Sequence, residues 1–136
     1  MNLSALLRDL PAEPRIVVSG NHAIPFHLLG LVDEVLDDYR LWALNAPTGL
    51  PDRAGIRYET PFVGAGMRHS PRLTYVPCRL SLVPSLFRTT MPPDLVLLNT
   101  TRPRGGKVSL GVEANVLPAA VEAARARGAQ IGRAHV

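Results

Sequence analysis

The run Asp94-Leu95-Val96-Leu97-Leu98-Asn99 holds four consecutive aliphatic residues with nothing polar between them. A strand with one wet face alternates apolar and polar residues. An unbroken short apolar run must instead be covered on both faces. Arg15-Ile16-Val17-Val18-Ser19 repeats the pattern and stops at the turn signal Gly20-Asn21, and Arg40-Leu41-Trp42-Ala43-Leu44-Asn45 supplies a third such segment. Doubly covered strands belong to parallel sheets, whose crossovers place helices on the two faces. The segment after Gly20-Asn21 fits that role. Pro25 stands at a first helical position, Phe26, Leu29, Val32, Val35 and Leu36 recur at helical spacing, and Asp33, Glu34, Asp37 and Asp38 form a solvated face. Strand, glycine turn and helix make half of a βαβ unit. The fold expected is an open, mostly parallel α/β sheet flanked by helices.

The remaining segments fill in around this frame. Leu3 to Leu10 reads as a short helix stopped by Pro11 and Pro14, and residues 46–51 as a Pro/Gly loop. Ile56 to Phe62 and Leu73 to Val76 read as shorter strands separated by a mobile Gly64-Ala65-Gly66 stretch. Ser81 is the expected cap of a brief helix through Phe87, ended by Pro92-Pro93. Lys107 to Leu110 reads as a short extension after a Gly105-Gly106 turn, and Val116 to Arg127 as an amphipathic helix with Gly128 beyond its end. Gly128-Ala129-Gln130-Ile131 approaches another strand. Ile131-Gly132-Arg133-Ala134-His135-Val136, however, is the peptide obtained by translating a common high-throughput sequencing adapter in one frame. On that reading no further strand follows, His135 carries no functional weight, and residues 1–130 form one domain incomplete at its C-terminus.

Charge and composition narrow the function classes. Hydrophobic residues make up 46% of the 136, which supports a core, and the single cysteine, Cys78, excludes an intrachain disulfide framework. Cys78, between Pro77 and Arg79, has two readings, a thiolate activated by a nearby cation and, favoured, a small core residue. No apolar run approaches the roughly 20 residues of a membrane span, and Arg8 and Asp9 interrupt the N-terminal apolar stretch, so a cytoplasmic protein without membrane partners is expected. Of fifteen basic residues fourteen are arginine, and Arg53, Arg57, Arg68, Arg72, Arg79 and Arg88 lie scattered without interleaved aromatics. That pattern argues against nucleic acid and fits a phosphorylated small molecule gripped by separated arginines.

No chemistry-bearing motif is complete. His22, His27 and His69 lack metal-ligand spacing, no GxSxG elbow accompanies Ser19 and His22, and neither Gly64-x-Gly66 nor Gly105-Gly106-Lys107 completes a phosphate cradle. Glu113 follows the Ser109-Leu110-Gly111-Val112 segment and has two readings, a group at the ligand edge or a cap for the helix near Val116.

Taken in order, several stretches resemble the N-terminal domain of the acetyl-CoA hydrolase/transferase family, which includes acetate and 4-hydroxybutyrate CoA-transferases. They are Ile16 to Asn21 with Pro25, Arg40 to Gly49, Tyr75 to Phe87 with its Tyr-x-Pro-x-x-Leu-Ser-x-x-Pro pattern, and Asp94 to Asn99 leading to Gly106-Lys107-Val108-Ser109-Leu110-Gly111. Asn115 stands where the family often has an aspartate, and the lead before Pro14 is shorter than the family's. The resemblance implies one of two similar halves facing each other across an active site, in a parent enzyme that is a homodimer. It implies an acyl-CoA and a small carboxylate as substrates, with coenzyme A carried as substrate rather than cofactor and no metal. A glutamate of the other half attacks the thioester and becomes a glutamyl-CoA intermediate. Glu113 does not match that nucleophile, so this chain has no catalytic residue of its own. The ligand-edge candidates are Gly20, Asn21, Thr48, Thr60, Arg68 and Ser81. The alternative reading is a stand-alone module that binds a phosphorylated metabolite or nucleotide without chemistry.

Overall fold

The computed structural model describes residues 3–111 and 113–135. Its strands are β1 (Arg15–Val18), β2 (Tyr39–Trp42), β3 (Ile56–Thr60), β4 (Leu73–Tyr75), β5 (Leu95–Thr100) and β6 (Gln130–His135). All pair in parallel in the order β4-β3-β2-β1-β5-β6. The helices are α1 (Leu3–Arg8), α2 (Phe26–Asp33), α3 (Val83–Arg88) and α4 (Leu117–Ala126). An open parallel α/β sheet flanked by helices is therefore the architecture.

Alternation along each buried strand divides the core in two. Ile16, Val18, Leu41, Leu95 and Leu97 pack with Leu29 and Val32 of α2 and Leu7 of α1. Val17, Trp42, Val96 and Leu98 face the other way, onto Phe87 of α3 and Leu117, Ala120, Ala123 and Ala124 of α4. The small alanines let α4 lie close on the sheet, and the Phe87 ring meets Trp42 edge-on at 4.8 Å. Half-buried Cys78 packs against this second cluster, as a small core residue would.

Ion pairs pin the amino-terminal edge of the sheet. Arg15, buried, donates from Nε to Glu59 Oε1 at 2.9 Å and from Nη2 to Oε2 at 3.2 Å, while its backbone N–H donates to Asp94 Oδ2 at 2.7 Å. Asp94 also faces Arg40 and Arg127. Arg53 closes α2, donating to the carbonyls of Leu36 and Asp37 and pairing with Asp33 at 2.9 Å. Asp33 further accepts from the Tyr39 hydroxyl, so it is no part of a solvated helix face. The helix stops at Asp33, leaving Asp37 and Asp38 in the following turn.

Three other expectations are corrected. Ser81 does not cap a helix: Leu80–Leu82 is a 3-10 turn, and α3 starts at Val83 behind Leu82 with no side-chain cap bond. Lys107 to Leu110 is one arm of a hairpin bridged between Arg104 and Lys107, not a strand extension. The last strand does arrive, since Gln130–His135 pairs with β5 along its whole length, from Leu95↔Gln130 to Thr100↔His135. The free edge of β5 offers unpaired N–H and C=O groups to any short extended segment, and backbone pairing does not depend on a segment's origin. Ile131 packs inward, and Gly132 lies under Leu97 and Leu28.

Candidate functional site

After β1 the chain steps outward through β2, β3 and β4, then crosses back to lay β5 on the other side of β1. The connections leaving β1 and β5 therefore diverge. That divergence opens a crevice beyond the carboxyl ends of the two strands, the position where open α/β sheets receive ligands. A cavity of about 640 Å³ occupies it, lined by His22 and Ala23 after β1, by Asn99, Thr100 and Thr101 of the β5 end, and by Ser109, Leu110, Gly111 and Glu113. That volume lies within the usual range for small-molecule sites.

The walls are held by local hydrogen bonds. Thr101 N–H donates to the Ser109 carbonyl at 2.9 Å, Ser109 N–H to Thr101 Oγ1 at 3.0 Å, and Gly111 N–H to Ser109 Oγ at 3.0 Å. Across the crevice the His22 N–H donates to Glu113 Oε2 at 2.8 Å, and the buried Ser19 hydroxyl donates to the Glu113 carbonyl at 3.4 Å. Glu113 thus stands at the ligand edge and is not the cap of α4, whose N-terminus has no side-chain cap bond. Its carboxylate joins two segments 91 residues apart. Among the described residues no group of three His, Cys, Asp or Glu side chains converges. Resolved acidity shifts lie away from the crevice: burial, then Asp33, pushes the Tyr39 hydroxyl up, and burial, then Asp52, pushes up Tyr58.

None of the six residues chosen from the sequence lines this cavity. Gly20 and Asn21, just before His22 in the chain, serve the packing of strand ends. A Cβ on Gly20 would stand 1.6 Å from the Leu44 carbonyl oxygen. Asn21, in the left-handed region at φ 49°, accepts from Asn45 Nδ2 at 2.7 Å. Gly64 and Gly66 clamp the same loop from the far side, with Cβ positions 2.4 Å from the Ala46 oxygen and 1.9 Å from the Pro47 oxygen. The Gly64-Ala65-Gly66 stretch is therefore a close-packed joint, not a mobile spacer. Thr60 is buried and satisfied in its own turn, its Oγ1 donating to the Phe62 carbonyl at 2.9 Å and accepting from Phe62 N–H at 3.1 Å. Thr48 and Ser81 are exposed, and Arg68 reaches the Val63 carbonyl at 3.4 Å. Arg53, Arg57 and Arg72 are paired with Asp33, Glu13 and Asp52, so they are not a phosphate grip.

His22, Thr100, Thr101 and Ser109 were the residues missed. One signal pointed to them: Thr100 ends the buried strand β5 and Thr101 follows it, Ser109 lies on the hairpin arm that returns from it, and His22 lies in the loop after β1. Choosing between the ends of β1, β2, β3 and β5 required the strand order.

No family model matches the chain, and no curated protein matches it. Solved structures do. RipA from Yersinia pestis superposes with a TM-score of 0.67 at 17% identity over 98% of this chain and 41% of that one. A variant of RipA gives 0.68 at 16% identity over 100% and 41%. The likeness shows a shared fold, and the chain spans about two fifths of the length of RipA.

Proposed function

We propose that this chain is the N-terminal half of an acyl-CoA hydrolase or CoA-transferase, moving coenzyme A between an acyl thioester and a carboxylate or water. The observation that carries the reading is a meeting of segments. Ile16 to Asn21 and Ser109 to Gly111 each bear the sequence resemblance to that family, lie far apart in the chain, and end at one switch-point crevice. The crevice supplies hydroxyls and backbone groups that bind and orient, but no nucleophile with a base beside it. Glu113 accepts the His22 N–H and is a wall residue. On this reading the attacking glutamate belongs to a second half: its attack on the thioester carbonyl expels the coenzyme A thiolate and gives an acyl-glutamyl anhydride, the thiolate then attacks the glutamyl carbonyl to form the glutamyl-CoA thioester and release the acyl group as its carboxylate, and this chain alone is inactive. The parent is then a cytoplasmic homodimer needing no metal. Among the described residues no helix is long and apolar enough to cross a membrane.

The test compares two proteins with acetyl-CoA and a free carboxylate acceptor. The 136-residue chain is expected to show no exchange, and the product of the same gene read beyond Gln130 to show exchange with a covalent glutamyl-CoA adduct. Thioester cleavage by the 136-residue chain, or an inactive longer product, refutes the reading. A stand-alone module for phosphorylated ligands is the second reading, favoured by the unpaired cations described next.

A further inference from the structure

Residues 101–110 form a hairpin whose two feet, Thr101 and Ser109, are also walls of the crevice. Arg104 and Lys107 exchange backbone hydrogen bonds at 2.9 and 3.1 Å across a tip of two glycines, Gly105 at φ 56° and Gly106 at φ 73°. These left-handed angles need glycine and let the tip turn tightly. Arg102, Arg104 and Lys107 are exposed, and among the described residues none has a carboxylate partner. Of the other arginines, Arg15, Arg40, Arg53, Arg57, Arg72 and Arg127 are paired with carboxylates, while Arg8, Arg68, Arg79, Arg88, Arg125 and Arg133 are in no ion pair among the described residues and none of them lines the crevice. Beside the crevice Glu113 is already engaged by the His22 N–H. What sets the hairpin apart is its place: three cations without carboxylate partners among the described residues stand on the one loop whose feet wall the cavity.

We infer that the 101–110 hairpin is a phosphate grip for a ligand whose uncharged arm enters the β1/β5 crevice. Guanidinium forks match phosphate oxygens bidentately, and unpaired cations attract polyanions without first giving up another partner. The distance suits an extended ligand, since three residues of extended chain place Arg104 within about 11 Å of Thr101. The inference rests on the acyl-CoA reading for the identity of that ligand: the 3′-phosphate and pyrophosphate of coenzyme A meet the hairpin, and the pantetheine arm lies along Thr101, Ser109 and Leu110.

The experiment titrates the whole chain calorimetrically with coenzyme A, 3′-dephospho-coenzyme A, pantetheine and ATP, at low and high salt. It is repeated on a variant carrying Arg102→Ala, Arg104→Ala and Lys107→Ala together, and on one carrying Arg102→Lys and Arg104→Lys. Because the hairpin is exposed, the variants should keep the wild-type unfolding midpoint. Coenzyme A is expected to bind more tightly than its dephospho form and pantetheine, to weaken with salt, and to lose about tenfold or more in the alanine variant. Pantetheine affinity should not change, and the lysine variant should retain most of the binding. Equal coenzyme A affinity in wild-type and alanine variant, equal affinity for pantetheine and coenzyme A, or no binding of any phosphate compound overturns the grip. ATP binding as tight as coenzyme A binding, lost in the alanine variant, keeps the grip and overturns the acyl-CoA reading instead.

Discussion

Gly20→Ala tests whether the ends of β1 and β2 are held in contact in the way described. The added Cβ would lie 1.6 Å from the Leu44 oxygen and 2.6 Å from the Leu44 carbonyl carbon, both backbone atoms that cannot swing aside. Restoring ordinary contact requires the two loops to part by about 1.5–2 Å. That movement stretches the Asn21 N–H bond to the Asn45 carbonyl, now 3.3 Å, and the 2.7 Å bond between the two asparagine side chains. Overpacking costs about 1–3 kcal/mol and each lost bond about 0.5–1.5 kcal/mol, while the stiffer unfolded chain returns about 0.4–1 kcal/mol. The expected net loss is ~3 kcal/mol, or roughly 10 °C in Tm. Urea unfolding followed through Trp42, the sole tryptophan and fully buried against Phe87, measures it. Gly30→Ala in α2 is the control: nothing stands within 4 Å of its Cβ position, so alanine should stabilise by up to ~1 kcal/mol. A Gly20→Ala protein as stable as wild type, or as the Gly30→Ala protein, refutes the close approach. The same parting of loops would move His22 and open the crevice wall.

Removing Glu59 leaves the Arg15 guanidinium charged and buried, so Glu59→Ala should cost about 3–5 kcal/mol, whereas Arg15→Met with Glu59→Leu should unfold near the wild-type urea concentration. A double variant as unstable as the single one would show that the pair is more than mutually compensating. Tyr39 and Tyr58 carry hydroxyls raised by burial above their ordinary 10.0. Below pH 10 both states keep those protons; above it the unfolded chain ionises first, so stability should fall by up to ~1.4 kcal/mol per pH unit per tyrosine. Urea midpoints between pH 9 and 11 should fall in wild type and flatten in Tyr39→Phe with Tyr58→Phe, from a lower starting value because the Asp33 bond is lost. Ending the chain at Gln130 strips β5 of its outer partner along Val96 to Thr100 and should cost ~2 kcal/mol after the ordering entropy of the five strand residues is returned. Unchanged stability by circular dichroism melts would mean that β6 adds nothing to the fold.

Much of the architecture follows from local pattern. Continuous apolar runs at Arg15 to Ser19 and Asp94 to Asn99 demand helices on both faces, and only parallel strands with crossovers provide them, so the layer arrangement and most elements were legible. Boundaries slipped where a distant partner intervened. Arg53, twenty residues away, donates to the carbonyl of Asp33, the last residue of α2, and to that of Leu36 beyond it, and so fixes the helix end near Asp33. The edge of β5 draws Gln130–His135 into the sheet although the segment itself carries little strand signal.

The site divides along the same line. Sequence determined that ligand-facing groups follow buried strands, because turn chemistry and strand ends are local properties. It had no means to choose among four such ends, and its six candidates gathered around β1, β2, β3 and β4. Only the crossover that puts β5 beside β1 decided where the walls diverge. That choice depends on contacts such as Ser19 with Glu113, 94 residues apart, and a linear pattern carries no term for which strands become neighbours. The position of the hairpin's charge was decided in the same way, since only the fold sets Arg102, Arg104 and Lys107, without carboxylate partners among the described residues, on the loop whose feet wall the crevice.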